Sequence, residues 1–231
     1  MGGPCRIMLP TTSSTYTKEL AAPWGQRALR STGHTLWKAG GNRHTKMTGP
    51  AATDNFQVRP FHYNNLEYLS VEQAYQALKS VSCDIDPRSC SRHEKIRLLF
   101  PRLGENDSSH GMRCWSLGQV GPTRPDWNHV KVDLMYKLNR AKYYDPRNIS
   151  LKQDLLATGS AEMTGGPSTI WKHYGRVHKW SFWNGIIQMR IREELRADRT
   201  PTPLKESSST AYNPVRHERL IKMFDAYNTA A

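Results

Sequence analysis

Acidic side chains are scarce in this chain of 231 residues: 20 Asp and Glu stand against 33 Lys and Arg, a formal net charge of +13. That imbalance favours phosphate-bearing partners through Coulomb attraction. The surplus is uneven, because residues 1–50 hold seven basic residues (Arg6, Lys18, Arg27, Arg30, Lys38, Arg43 and Lys46) and one acid, Glu19. Such an arm reads either as a soluble tail or as a contact for nucleic acid. Long apolar runs are also missing. No stretch of about 18 apolar residues is present to span a membrane, and no N-terminal run of about 7 to 15 marks a secretory signal. An intracellular protein, cytoplasmic or nuclear, is the expectation. Four cysteines, Cys5, Cys83, Cys90 and Cys114, are too few for a disulfide framework at this length, which fits a reducing setting. GxGxxG, Walker A, HExxH and GxSxG are all absent, so nothing supports a standard phosphate loop, a zincin or a nucleophile elbow.

What is present suggests an α+β, predominantly helical single domain with a small β-hairpin or sheet and a flexible N-terminal extension. Mean hydropathy is −0.70, low for a compact globule, so the ends should contribute little to the core. Residues 1–52 are rich in Gly, Ser, Thr and Pro, carry Trp24 and Trp37 without periodicity, and read as mostly disordered. The domain is expected over 53–197, followed by a Pro- and Ser-rich linker over 198–212 and a C-terminal helix over 213–231 opened by Asn213-Pro214.

Within the domain, aromatics and aliphatics alternate from Phe56 to Tyr68 around Asn64-Asn65, a pair that tolerates positive φ, which predicts a hairpin. Ser70 and Gln73 make a capping box for a helix whose Val71, Ala74, Tyr75 and Leu78 share its inward face. Residues 83–115 read as a polar surface insertion with one helix near 92–100. Asp126 is placed to cap a long helix. Ser150 with Gln153 suggests a second capping box, and a further helix spans 183–197.

On the first helix, the seven residues from Glu72 to Lys79 turn about 700°, within about 20° of two full turns, and rise about 10 Å. Glu72, Gln76 and Lys79 therefore share a face. Two accounts fit that spacing: a solvated stripe answering the helix dipole, or a pair flanking one sugar or base. Trp127, Trp171, Trp180 and Trp183 offer flat faces for a base, worth about 1 to 3 kcal/mol per stacked base, or serve as core. Cys90 with His93, and His110 with Cys114, have zinc-like spacing, but neither C-x2-C nor H-x3-H accompanies them, and no metal is expected.

The segments DNFQVRPFHYNNLEYLSVEQAYQALK (54–79), RPDWNHVKVDLMYKLNRAKY (124–143), LLATGSAEM (155–163) and WNGIIQMRIREEL (183–195) together resemble, in order, four blocks of the NADAR family, the NAD and ADP-ribose related proteins. The resemblance implies a small, mostly helical α+β domain that acts as an N-glycosidase without metal or organic cofactor. Its substrate would be an ADP-ribosylated guanine or a ribosylamino-pyrimidine phosphate of riboflavin synthesis. It makes Glu72 the acid or base and Lys79 its catalytic companion. Trp127 and Trp171 would hold the base and Arg124 would meet a phosphate, with Asn55, Phe56, Tyr75 and Gln76 completing the contacts. Where the family has D-x-x-W-G, this chain has Ser168-Thr169-Ile170-Trp171-Lys172, so the Asp is Ser168. Glycoside cleavage usually uses two carboxylates, and Asp126 and Glu162 are the candidates for the second. Expected partners are a small nucleotide or an ADP-ribosylated nucleic acid, and no membrane. The alternative is a module that binds ADP-ribose or modified nucleic acid without cleaving it.

Overall fold

The computed structural model describes residues 3–9, 45–81, 87–159, 161–166, 168–198 and 212–229. Trp24, Trp37, Cys83 and the linker prolines lie outside them. Among the described residues the architecture is α+β and mainly helical, with three small antiparallel sheets beside seven helices.

Asn64 and Asn65 adopt φ of 49° and 58°, the left-handed pair that a two-residue hairpin turn requires. They join β3 (Phe61–Tyr63) to β4 (Leu66–Tyr68), with Phe61 opposite Tyr68. The hairpin feeds α1 (Val71–Leu78), whose first turn is closed by Ser70 Oγ accepting from the Gln73 amide at 3.1 Å. The reciprocal arm differs from the expected box, because Gln73 Oε1 accepts from the Leu69 amide, one residue before the cap. Every residue of α1 is buried. One face packs inward as expected; the polar face is covered as well.

That cover comes from the stretch read as a surface insertion, which is a correction. α2 (Ser91–Arg97) and α3 (Asp107–Gly118) pack directly on α1, burying His93, Ile96, His110 and Cys114 completely. The polar residues that made the stretch look solvated are used internally. Tyr68 Oη lies 2.8 Å from His93 Nε2, His110 Nε2 lies 2.6 Å from the Leu99 carbonyl, and Gln73 Nε2 donates to the Ile96, Arg97 and Leu99 carbonyls.

Two helices of eighteen residues, α4 (Trp127–Tyr144) and α6 (Trp180–Ala197), form the centre, bridged by α5 (Ile149–Leu156). Two expected caps are not made. Asp126 precedes α4, but its carboxylate pairs with the Arg124 guanidinium instead of capping. Ser150 and Gln153 both lie inside α5, whose N-cap is Asn148; that side chain makes no capping hydrogen bond and donates to the Pro60 and Lys142 carbonyls.

The N-terminal region also departs from the expected disorder where it is described. β1 (Arg6–Leu9) lies between β2 (Thr45–Thr48) and β5 (Glu162–Thr164) in a three-stranded sheet, and Cys5 and Ile7 are buried. Short strands without a full period of alternation leave little sequence signal. α6 crosses this sheet closely at Gly185, where a Cβ would lie 2.1 Å from the Met163 carbonyl oxygen. β6 (Ile170–His173) and β7 (Arg176–Lys179) form a third hairpin just before α6. α7 (Pro214–Asn228), capped by Asn213 Oδ1 accepting from the Arg216 amide, docks Leu220, Phe224 and Tyr227 against α4 and α6.

Candidate functional site

α1, the N-terminal part of α4, the C-terminal end of α3, the approach to β6 and the first turn of α6 enclose a cavity of about 260 Å³. Asn55, Glu72, Tyr75, Gln76, Lys79, Trp127 and Trp171 all line it. Helical spacing puts Glu72 and Lys79 on one face; the fold turns that face into a wall.

Glu72 is buried, and loss of solvation raises its pKa above the ordinary carboxylate value, while the hydrogen bond from Gln76 and the charge of Lys79 oppose that rise. Gln76 Nε2 donates to Glu72 Oε1 at 2.7 Å. Gln119 Nε2 reaches Gln76 Oε1 at 3.5 Å, and Lys79 Nζ donates to Gln119 Oε1 at 3.4 Å. Acid and lysine are thus joined through two amides. The spacing depends on Gly118 of α3, where a Cβ would fall 2.0 Å from Gln76 Oε1. Burial lowers the Lys79 pKa, and Arg92 adds to that effect.

Flat rings form the opposite side. Tyr75 packs on Trp127 at a centroid distance of 4.8 Å and edge-on to Trp180 at 5.7 Å, and Trp180 meets Trp171 at 4.8 Å. Lys131, one turn into α4, places Nζ 4.1 Å from the Trp171 ring centre and 2.9 Å from Asn128 Oδ1. Its pKa is lowered to about 8, first by burial and then by Lys79. Asn55 is fixed by buried amides: Asn139 Nδ2 donates to its Oδ1 at 3.0 Å, and its Nδ2 donates to Asn184 Oδ1 at 3.3 Å. The Ser168 hydroxyl oxygen, shielded in the wall, has no hydrogen-bond partner.

Five of the candidate residues lie elsewhere. Phe56 is core, packed against α3 at Gly111. Arg124 pairs with Asp126 at 2.6 Å and lines a neighbouring cavity with Tyr63 and Lys137. Asp126, held low in pKa mainly by that hydrogen bond, and Glu162, exposed on β5 and paired with Arg216 at 2.9 Å, are both outside the first cavity. Trp183 packs among His178, Phe224 and Tyr227 as core. Glu72 is the sole carboxylate among the described lining residues.

No family model matches the chain, and no curated protein matches it. A solved structure does. The chain is similar to the NMR structure of the E. coli protein YbiA, with a TM-score of 0.49 and 23% identity over 68% of this chain and 84% of that one. The chemistry of the cavity therefore rests on its own residues.

Sequence reasoning missed Lys131, Trp115, Gln119, Met135 and Asn184 as lining residues. For Lys131 a signal existed: it follows Trp127 by four residues, one helical turn, on the same face. For Gln119 none did, because its place depends on α3 packing over α1.

Proposed function

We propose that the cavity hydrolyses the N-glycosidic bond of a ribosylated base or nucleotide, the class suggested by the NADAR resemblance. One observation carries the reading: a buried carboxyl group, its pKa raised by loss of solvation, lines a pocket walled by aromatic rings. Such a pocket accepts a flat base against Trp127 and Trp171 and brings its ribosyl nitrogen toward Glu72. A carboxyl pKa raised by burial moves the group in the direction a general acid requires.

The step balances with one carboxyl group. The C1–N bond breaks with its electron pair going to the base nitrogen, which takes the Glu72 proton. The carboxylate left behind faces the oxocarbenium ion, water adds to C1, and its proton returns to Glu72. Lys79 and Lys131 bring positive charge to the same pocket, which suits a phosphate-bearing sugar. In this reading the Ser168 substitution is compensated by Glu72 acting in both directions.

The single lining carboxylate also favours a second reading, a module that binds such a ligand without cleaving it, since glycosidases usually employ two. Offering ADP-ribosylated guanosine and ribosylamino-pyrimidine phosphates to the protein, with chromatography for released base, separates the two. Release that disappears in Glu72→Gln supports hydrolysis. Tight binding by calorimetry with no released base supports the binding module and ends the hydrolase reading.

A further inference from the structure

The β6–β7 hairpin has two dissimilar faces. Its register pairs Trp171 with His178 and His173 with Arg176, alternating with Ile170 opposite Lys179 and Lys172 opposite Val177. Trp171, His173 and His178 turn inward, packing on Trp180, Trp183 and Tyr227. The outward face presents Ile170 and Val177, 64% and 57% exposed, between the exposed side chains of Lys172 and Lys179. Arg176 and Tyr174 are exposed at the tip. From Ile170 to Lys179 there is no Asp or Glu.

Several basic side chains elsewhere are matched by acids: Arg97 with Glu94, Arg113 with Glu105, Lys137 with Asp133, Arg140 with Glu194, Arg147 with Glu67 and Lys222 with Glu218. Among the described residues no such carboxylate faces Lys172, Arg176 or Lys179. A cation left unmatched costs nothing in water, but Lys172 and Lys179 interleaved with Ile170 and Val177 on the outward face, with Arg176 exposed at the tip of the same narrow ribbon, make a track for a repeating anion with apolar faces between its charges. A nucleic acid strand has that pattern. The outward face also ends at Ile170, which lines the cavity, so a strand lying on it would bring one base to the cavity mouth.

We infer that the β6–β7 hairpin is a binding surface for single-stranded nucleic acid, with Lys172, Arg176 and Lys179 taking backbone phosphates and Ile170 and Val177 supporting the sugars and bases. A strand is favoured over a duplex because the hairpin is a single ribbon beside a pocket of about one ribosylated base in volume, and a base must leave its stack to enter. The choice of a single strand rests on the proposed reading of the cavity as a base pocket, whereas the charge of the surface does not depend on hydrolysis.

The test is fluorescence anisotropy of a labelled ten-nucleotide single strand, titrated with the Glu72→Gln protein at several salt concentrations so that turnover does not intervene. Three phosphate contacts contribute a slope of about −2 in log K against log salt for a single strand. Combined Lys172→Glu, Arg176→Glu and Lys179→Glu should remove that part of the slope and weaken binding at least tenfold, while thermal unfolding stays as in the parent and, with Glu72 restored, hydrolysis of a free ribosylated mononucleotide stays as in the wild type. A milder Lys172→Gln, Lys179→Gln pair guards against loss of fold and should show an intermediate loss. Charge reversal in the basic arm, at Arg27, Arg30 and Lys38, should leave the hairpin's share intact. An unchanged slope in the hairpin variant overturns the inference, as does absence of any binding. Hairpin-dependent binding to anionic lipid vesicles without oligonucleotide binding overturns it too. If no ribosylated compound is hydrolysed but the slope still depends on the hairpin, the surface stands and the hydrolase reading falls.

Discussion

Lys131 and Lys142 lie on one helix, α4, eleven residues apart, and a rotation of about 1100° puts them within about 20° of the same face. Both are buried, and burial is the first cause that lowers each to a pKa of about 8. Their surroundings divide them. Lys142 Nζ donates to the Ala52 carbonyl at 2.6 Å, with Tyr143 Oη donating to the same oxygen at 2.7 Å, and Asp54 nearby supplies opposing charge. Lys131 has one side-chain acceptor, a ring and a cavity. A depressed pKa by itself therefore marks neither a site nor a structural lysine; the difference is whether the ammonium's partners belong to the protein or leave room for a ligand.

The largest expected effect tests the cavity half of that contrast. Glu72→Gln keeps the size of the side chain and removes its proton chemistry, so kcat for base release should fall by about 10² to 10⁴, the usual contribution of a general acid. Binding of ribose 5-phosphate, followed through tryptophan fluorescence, should change little. Equal loss of binding and turnover would show that Glu72 holds the ligand instead of protonating it. Next is the structural lysine. Lys142→Met leaves buried backbone acceptors short of a donor and Asp54 short of its counter-charge, which costs about 2 kcal/mol, about thirtyfold in the folding equilibrium. Chemical denaturation should report that loss, while the Kd for ribose 5-phosphate stays within about twofold. Gly118→Ala, which drives a methyl group into Gln76, should lower kcat about tenfold by turning the amide away from Glu72, with the pH at which activity falls moved upward because the hydrogen bond that lowers the Glu72 pKa is lost.

Local signals carried part of this fold. Asn64-Asn65 announced its turn, Ser70 with Gln73 its helix start, and the spacing of Glu72, Gln76 and Lys79 their common face, since each depends on residues within one or two turns. What escaped depends on contacts between distant segments. His93, His110 and Cys114 looked solvated because their partners, Tyr68 and the Leu99 carbonyl, cannot be paired from spacing. β1 was unreadable because a four-residue strand acquires meaning only from β2 and β5. Arg124 and Asp126 were each assigned to a ligand, and two residues of separation let them neutralise one another instead. Glu162 was drawn away by Arg216, fifty-four positions later.

The finest division between the two lysines is in pH. Lys131 binds an anion only while protonated, so affinity for ribose 5-phosphate should be complete below about pH 8 and decline by about tenfold as pH rises through that value. The phosphate is already doubly charged above about pH 7, so the decline belongs to the protein. Lys131→Arg keeps its charge throughout the range and should flatten the profile, whereas Lys131→Met should bind weakly at every pH. Lys142→Met should preserve the wild-type decline even though Lys142 also has a pKa of about 8, because its ammonium is turned to the Ala52 carbonyl and no ligand reaches it. A profile flattened by Lys142→Met and not by Lys131→Arg would reverse the assignment of the two lysines.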